Sequence, residues 1–131
     1  MIESAIHRNS FSHIRTIYDV DCLDGHTFEF FCAFILENNG FEVSYLNVDS
    51  HGFINFADLL RTLKSNTILV SIMSANNEIG TIQDIKAISD LVHKYNGVLH
   101  VDATQAFSHI PINVEELGID IQASYLDVFS V

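Results

Sequence analysis

Residues 67–102 carry the pattern that most restricts the fold: two strand-like runs separated by one amphipathic helix. Residues 67–73 form a continuous, mostly apolar and β-branched run, which is typical of a parallel strand covered on both faces. Residues 83–95 carry one apolar stripe at helical spacing, made by Ile85, Ile88, Leu91 and Val92. A second strand, at residues 98–102, follows directly. The order strand, helix, strand predicts a βαβ unit, whose crossover should be right-handed.

The flanking segments extend this unit into a single α/β domain. Further strands are predicted, from period-two alternation or short apolar runs, at residues 2–6, 41–47 and 119–124. Further helices are predicted at residues 26–38, 56–63 and 114–118. Two helix stops are expected, one at Gly40 and one at Gly97 after Asn96. Together these elements predict a three-layer α/β fold with a mainly parallel sheet over residues 1–131.

The charge balance restricts the partners. The chain has 131 residues, with 6 Lys and Arg against 17 Asp and Glu, and its formal net charge is −11. Such a charge repels nucleic-acid backbones and anionic lipid surfaces, so neither partner is expected. No apolar run approaches the roughly 20 residues of a membrane-spanning helix, and residues 1–4 resemble no leader. The default expectation is an intracellular, cytoplasmic chain, with a mitochondrial location left open.

The metal-binding and redox residue types show no diagnostic grouping. Cys22 and Cys32 are the only cysteines, and they are interpreted as thiols rather than as a disulfide or redox pair. Three histidines lack the spacing of a metal site and are expected to be ordinary surface or core residues: His93, His100 and His109. No metal site is predicted.

The second strand ends in a polar run that indicates a site. Asp102 closes the strand and is followed by Ala103, Thr104 and Gln105. A carboxylate at the carboxyl end of a buried strand needs a cationic or proton-donating partner, and a protonated ring nitrogen of a cofactor is one such partner. A local alternative is open as well: the run Asp-Ala-Thr-Gln resembles a helix cap, and residues 76–80 resemble turn chemistry.

Two motifs carry a family resemblance. Asn-Asn-Glu-Ile-Gly-Thr-Ile-Gln at residues 76–83, followed by His-Val-Asp-Ala-Thr-Gln at residues 100–105, resembles the paired signature of the cysteine desulfurases. These enzymes, with the selenocysteine lyases, belong to the class V branch of the pyridoxal-phosphate (PLP) enzymes of fold type I. The resemblance covers residues 39–120 and lapses across residues 11–30, which are a divergent or inserted segment. It implies a partial chain of the PLP-binding large domain.

The resemblance also implies roles for particular residues. Asp102 matches the partner of the pyridinium nitrogen, Gln105 the residue that contacts the ring hydroxyl, and Asn77 the residue that reaches the same oxygen and the substrate carboxylate. These three cofactor-binding residues are expected to converge at the carboxyl ends of their strands. The ring-stacking histidine of the family aligns with Arg8, while His7 lies one residue earlier, and the two alternatives stay open.

The covalent machinery of the family has no match in this sequence. Val128 occupies the position of the Schiff-base lysine, and Leu126 and Asp127 occupy those of the phosphate-binding Ser/Gly and His. Neither the sulfur-accepting cysteine loop nor the Gly-rich phosphate loop is matched, so no catalytic residue is assigned. PLP binding by this chain alone is therefore doubtful, and the chain is expected to be inactive alone.

Two functional interpretations remain open. The first is a desulfurase-derived chain, whose full-length form would take an amino-acid substrate and transfer sulfur from L-cysteine, giving alanine, for iron–sulfur cluster or thiolation pathways. The second is a non-catalytic remnant, a module of a homo- or heterodimer, or a truncated gene model.

Overall fold

The computed structural model of the protein describes residues 25–106 and 109–124. The chain divides into two compact units, Met1–Ser44 and Tyr45–Val131, which are considered separately. Several predictions fall outside the described residues: the strand at residues 2–6, the alternatives His7 and Arg8, residues 11–24, and positions 126–128.

The described part of the first unit is one helix, α1 (Gly25–Asn38), as predicted for residues 26–38. Its end is a Schellman motif, in which the N–H of Gly40 donates to the carbonyl of Glu37 at 3.0 Å and the N–H of Phe41 to that of Leu36 at 3.1 Å. Gly40 has a φ of +86°, so the predicted glycine stop is confirmed.

The described part of the second unit contains six elements. In chain order they are α2 (Phe56–Thr62), β1 (Leu69–Met73), α3 (Ile85–Lys94), β2 (Val98–Asp102), α4 (Val114–Leu117) and β3 (Ile121–Ala123). The three strands form one sheet in the order β1-β2-β3, with both pairings parallel. The predicted α/β fold is therefore confirmed, and residues 67–73 and 119–124 contribute shorter strands than expected.

The prediction of a strand at residues 41–47 is wrong. Within the described residues, 41–47 join no ladder, and the pairing beside them is an isolated antiparallel bridge between Val48 and Ile54. The intervening turn is held by Asp49, whose Oδ1 accepts the N–H groups of His51 at 2.8 Å and Phe53 at 2.9 Å. Alternating side chains fix which residues share a face, but a strand also needs a neighbouring strand with which to pair.

The core lies between the sheet and α3. Ile88 and Val92 of α3 and Leu99 and Val101 of β2 are each 0% exposed. On the opposite face of the sheet, large apolar side chains are exposed: Leu69, Met73, Val98 and Ile121. Within the part of the chain that the structure describes, the expectation that residues 67–73 are covered on both faces is therefore wrong.

Two finer predictions about the helices also change. The left-handed residue after α3 is Asn96, with a φ of +58°, and not Gly97. Gly97 serves a packing purpose, because a Cβ there would lie 3.1 Å from Cγ1 of Val92. The spacing of Leu59, Leu60 and Leu63 predicts one apolar stripe for the helix at residues 56–63. Leu59 and Leu63 are buried but Leu60 is 48% exposed, so the buried stripe is narrower than predicted.

No helix among the described residues is long and apolar enough to cross a bilayer.

Candidate functional site

The candidate site lies at the carboxyl ends of β1 and β2. Asp102 is the last residue of β2 and pairs in register with Met73, the last residue of β1. The chain leaves β1 through residues 74–84, which carry Asn77, and leaves β2 through residues 103–106, which carry Gln105. Because the strands are parallel and adjacent, both connections emerge at the same edge of the sheet.

Asp102 is half-buried, and its orientation is set by short-range bonds. Its Oδ1 accepts the N–H of Thr104 at 2.9 Å, which makes a local Asx turn. The local alternative is thus present, but it uses one carboxylate oxygen. No hydrogen bond to Oδ2 is formed by the residues that the structure describes, so this oxygen remains an acceptor for a proton-donating group.

Asn77 lies at the tip of a small loop closed by an antiparallel bridge between Ala75 and Ile82. The turn chemistry belongs to the preceding residue: Oδ1 of Asn76 accepts the N–H groups of Glu78 at 2.9 Å and Ile79 at 3.2 Å. The side chain of Asn77 is exposed. Turn formation therefore accounts for Asn76 and leaves Asn77 available for contact with a ligand.

A second loop, residues 48–54, holds the Asn77 loop in place through Gln83. Nε2 of Gln83 donates to the carbonyl of Gly52 at 2.7 Å, and its Oε1 accepts the N–H of Ile54 at 3.1 Å. Thr81 adds a bond from its hydroxyl to the carbonyl of His51. Sequence reasoning gave Gln83 no role, and the only signal for it was its place in the first motif.

Gln105 lies in a tight turn in which the N–H of Ala106 donates to the carbonyl of Ala103 at 3.0 Å. Both alanines are buried, whereas the side chain of Gln105 is exposed. The sheet thus brings Asn77, Asp102 and Gln105 to one edge. Their convergence on one ligand stays a prediction.

The three side chains fit the polar atoms of a PLP ring by their chemistry. A carboxylate with one uncommitted oxygen suits a protonated ring nitrogen, and exposed amides suit a ring hydroxyl. No described lysine lies in the connections at residues 74–84 and 103–106. The described residues therefore fit the ring and provide no amine beside it.

A mostly apolar cleft of about 210 Å³ opens beside this edge. Its lining includes Ser74, Gln83 and Ala106, but none of the three predicted contact residues. The cleft adjoins the candidate site without containing it.

A Ser-His-Asp group occurs at the opposite end of β2. Nε2 of His93 lies 2.9 Å from Oδ2 of Asp120, and Nδ1 of His93 lies 3.4 Å from Oγ of Ser89. Ser89 is fully buried, and its hydroxyl donates to the carbonyl of Gly118 at 2.7 Å, so it is unsuited to act as a nucleophile. The N–H of Leu99, and after it the hydrogen bond of His93, hold the pKa of Asp120 below its usual value. The group fastens β3 to α3 and β2.

Two of the three histidines predicted as ordinary residues, His93 and His100, have side-chain hydrogen-bond partners. Besides His93, the ring of His100 bonds through Nδ1 to the hydroxyl of Ser71 at 2.8 Å. Among residues 25–106 and 109–124, no three His, Cys, Asp or Glu side chains are grouped so as to hold a metal ion.

The chain is similar to known PLP-type enzymes. The aminotransferase class-V family matches residues 15–124. The cysteine desulfurase IscS of Dictyoglomus turgidum is 51% identical over 90 residues, which cover 69% of this chain and 23% of that protein. Among solved structures, a NifS-like protein matches with a TM-score of 0.69 and 36% identity over 77% of this chain and 28% of that one. The structure of SspA in complex with cysteine matches with a TM-score of 0.69 and 31% identity, covering 77% of this chain and 29% of that one.

The chain spans about a quarter of the length of the curated relatives that it matches, 23% and 27% for two of them. The family is in general PLP-dependent. The order of the two motifs, the parallel βαβ unit and the match over residues 15–124 agree with one another. The chain therefore belongs to the class-V aminotransferase family and, within it, is a partial chain similar to the cysteine desulfurases.

Proposed function

We propose that this chain supplies the ring-binding part of a PLP-dependent cysteine desulfurase and is catalytically inactive by itself. The observation that carries the proposal is the state of Asp102: a half-buried carboxylate at the carboxyl end of β2, with Oδ1 fixed by Thr104 and Oδ2 uncommitted. When bound, PLP supplies an electron sink for the bonds at Cα of an amino acid.

Asp102 would hold the proton on the ring nitrogen. A carboxylate close to a pyridinium favours the charged form of both groups, and the partial burial of Asp102 strengthens their attraction relative to bulk water. Gln105 and Asn77 would orient the ring through its hydroxyl oxygen, and Asn77 would also contact the carboxylate of the substrate. Cysteine is the proposed substrate, in line with the desulfurase relatives and the cysteine complex of SspA.

The proposed inactivity rests on the missing amine. Covalent catalysis on an amino acid requires a lysine that binds the cofactor and returns a proton to Cα. Val128 stands at that position, outside the described residues. Lys86 lines the adjoining cleft but is paired with Asp90, and Lys94 ends α3. Neither lysine lies in the connections at residues 74–84 and 103–106, which carry the candidate residues.

The test is a trapping experiment on the purified chain. After incubation with PLP and borohydride, mass spectrometry should find no pyridoxyl-lysine, and added L-cysteine should release no sulfide. The full-length Dictyoglomus turgidum enzyme serves as the positive control. A trapped lysine together with sulfide release would refute the proposed inactivity.

A separate measurement tests ring binding. Asp102→Asn keeps an acceptor for the N–H of Thr104 but removes the charge, so it should weaken non-covalent PLP binding about tenfold with little loss of stability. Wild-type chain that binds PLP no better than Asp102→Asn would favour the second candidate, a non-catalytic remnant or dimer module. The specific observation in favour of that candidate is Val128 at the lysine position.

A further inference from the structure

Two donors of Ser74 meet on one backbone acceptor. The N–H of Ser74 donates to the carbonyl oxygen of Asp102 at 2.8 Å, and the Oγ of Ser74 donates to the same oxygen at 3.1 Å. The N–H bond continues the parallel ladder between β1 and β2, and any residue except proline could form it. The hydroxyl bond is particular to a small side chain with a donor, and Ser74 is only 5% exposed.

The peptide between Asp102 and Ala103 is therefore held on both sides. Its carbonyl, that of Asp102, is held by Ser74. Its N–H, that of Ala103, donates to the carbonyl of Ala123 in β3 at 2.8 Å. Ala103 itself is fully buried. A peptide held at both polar groups in a packed environment has little freedom to rotate.

The orientation of this peptide determines where the carboxylate of Asp102 lies. It sets the direction of the chain into Thr104, whose N–H binds Oδ1 of Asp102 at 2.9 Å. A rotation of the peptide would move that N–H and release the carboxylate from its rotamer.

Ser74 also joins Asp102 to the loop of Asn77. Its carbonyl accepts the N–H of Gln83 at 2.9 Å, and Gln83 is the residue fastened to Gly52 and Ile54. A single buried residue thus connects the two sides of the candidate site.

We propose that Ser74 is a positioning residue for Asp102, whose hydroxyl fixes the carbonyl of Asp102 and, through the Thr104 amide, the orientation of the carboxylate. The expected effect of Ser74 on PLP binding rests on the proposed function. The expected effect of Ser74 on the Thr104 amide does not, because the contact between that amide and Asp102 exists within the chain itself.

The first test uses hydrogen exchange of the Thr104 amide, followed by NMR without any cofactor. In Ser74→Ala, loss of the hydroxyl bond should make this amide exchange about fivefold faster, which corresponds to about one hydrogen bond's net contribution. Ser74→Thr keeps the hydroxyl and should exchange within about twofold of the wild type.

Ser89→Ala is the matched control. It too removes a buried serine hydroxyl that donates to a backbone carbonyl, that of Gly118, at the opposite end of β2. It should lower global stability and leave exchange of the Thr104 amide unchanged relative to the amides that report global unfolding. Unchanged Thr104 exchange in a folded Ser74→Ala variant would overturn the proposal.

The second test measures non-covalent PLP binding. Ser74→Ala should weaken it about fivefold, with recovery in Ser74→Thr. A wild-type chain that binds no PLP refutes the proposed function and leaves the exchange test standing. If Ser74→Ala does not fold, Ser74→Cys replaces it: a weak thiol donor should give intermediate Thr104 exchange, and exchange equal to the wild type would overturn the proposal.

Discussion

Substitution of Gly118 by alanine should destabilise the chain by two separable effects. Gly118 follows α4 with φ +68° and ψ +42°, a left-handed conformation that costs a non-glycine residue about 1 kcal/mol. A Cβ at this position would also lie 2.4 Å from Oγ of Ser89. Because Ser89 is fully buried and its Oγ bonds to the carbonyl of Gly118, the hydroxyl cannot move away without losing its partner. That displacement costs about 1–3 kcal/mol more, so Gly118→Ala should lower the free energy of unfolding by about 2–4 kcal/mol in total.

Urea unfolding of four variants separates these two contributions. Gly80→Ala is the backbone control, because Gly80 has a φ of +74° and an added Cβ would meet nothing within 4 Å. This variant should lose about 1 kcal/mol of unfolding free energy. In a Ser89→Ala background the clashing atom is absent, and Gly118→Ala should then cost only the backbone contribution. The double-mutant cycle should give a coupling of about 1–3 kcal/mol. A Gly118→Ala cost that equals that of Gly80→Ala, or that is the same in both backgrounds, would refute the reasoning.

Three further predictions concern acid stability, the core and the Asn77 loop. Asp120 has a lowered pKa in the folded chain, so its stabilising effect is present above the unfolded value of 3.8 and is lost as the pH falls through the folded value. Unfolding at a series of pH values should show a steeper loss below about pH 4 for the wild type than for Asp120→Asn, and parallel curves would contradict this. Ile88 is 0% exposed, and Ile88→Ala should lower the free energy of unfolding in urea by about 2–5 kcal/mol. Leu60 is 48% exposed, and Leu60→Ala should lower it by about 1 kcal/mol or less. Similar losses for the two variants would contradict the core described above. Asn76→Ala removes the acceptor of two turn amides and should lose about 1 kcal/mol, while Asn77→Ala should leave the free energy of unfolding unchanged, and the reverse order would invalidate the division of roles.

The βαβ unit could be predicted from the sequence because local and tertiary preferences agree there. The stripe through Ile88 and Val92 has the period of a helix, and the same side chains bury against the sheet. The β-branched run of β1 likewise favours a strand and supplies Ile72 to the core. Where one set of residues satisfies both requirements, a periodic pattern is sufficient to identify the element.

Residues 41–47 show why a pattern alone is insufficient. Their alternation satisfies the local requirement, but pairing depends on a partner that a sequence pattern does not specify. The exposed face of β1 illustrates a related limit. An apolar run predicts a buried environment, but it does not specify which atoms would cover that face.

Some residues of the candidate site could likewise be predicted from the sequence, and others could not. Asp102, Gln105 and Asn77 could be proposed from two motifs, because their residue types carry the chemistry. Ser74 could not be, because its partner is the carbonyl of Asp102, and every residue has a carbonyl. A contact between a side chain and a distant backbone group leaves no trace in the residue types, so only a structure reveals it.

The bonds around Asp102 also indicate which part of the site a partial chain can retain. Its carbonyl is held from the connection after β1, and its carboxylate from within the following turn. The N–H of the same peptide, contributed by Ala103, is held from β3, whose Ala123 pairs in register with Asp102. Among the described residues, these contacts come from the sheet and from the connections that leave β1 and β2. Under the proposed function, a lysine contributed after β3 would add a reactive amine to the site without being needed to place this carboxylate, and a chain with Val128 at that position would keep only the ring-facing half.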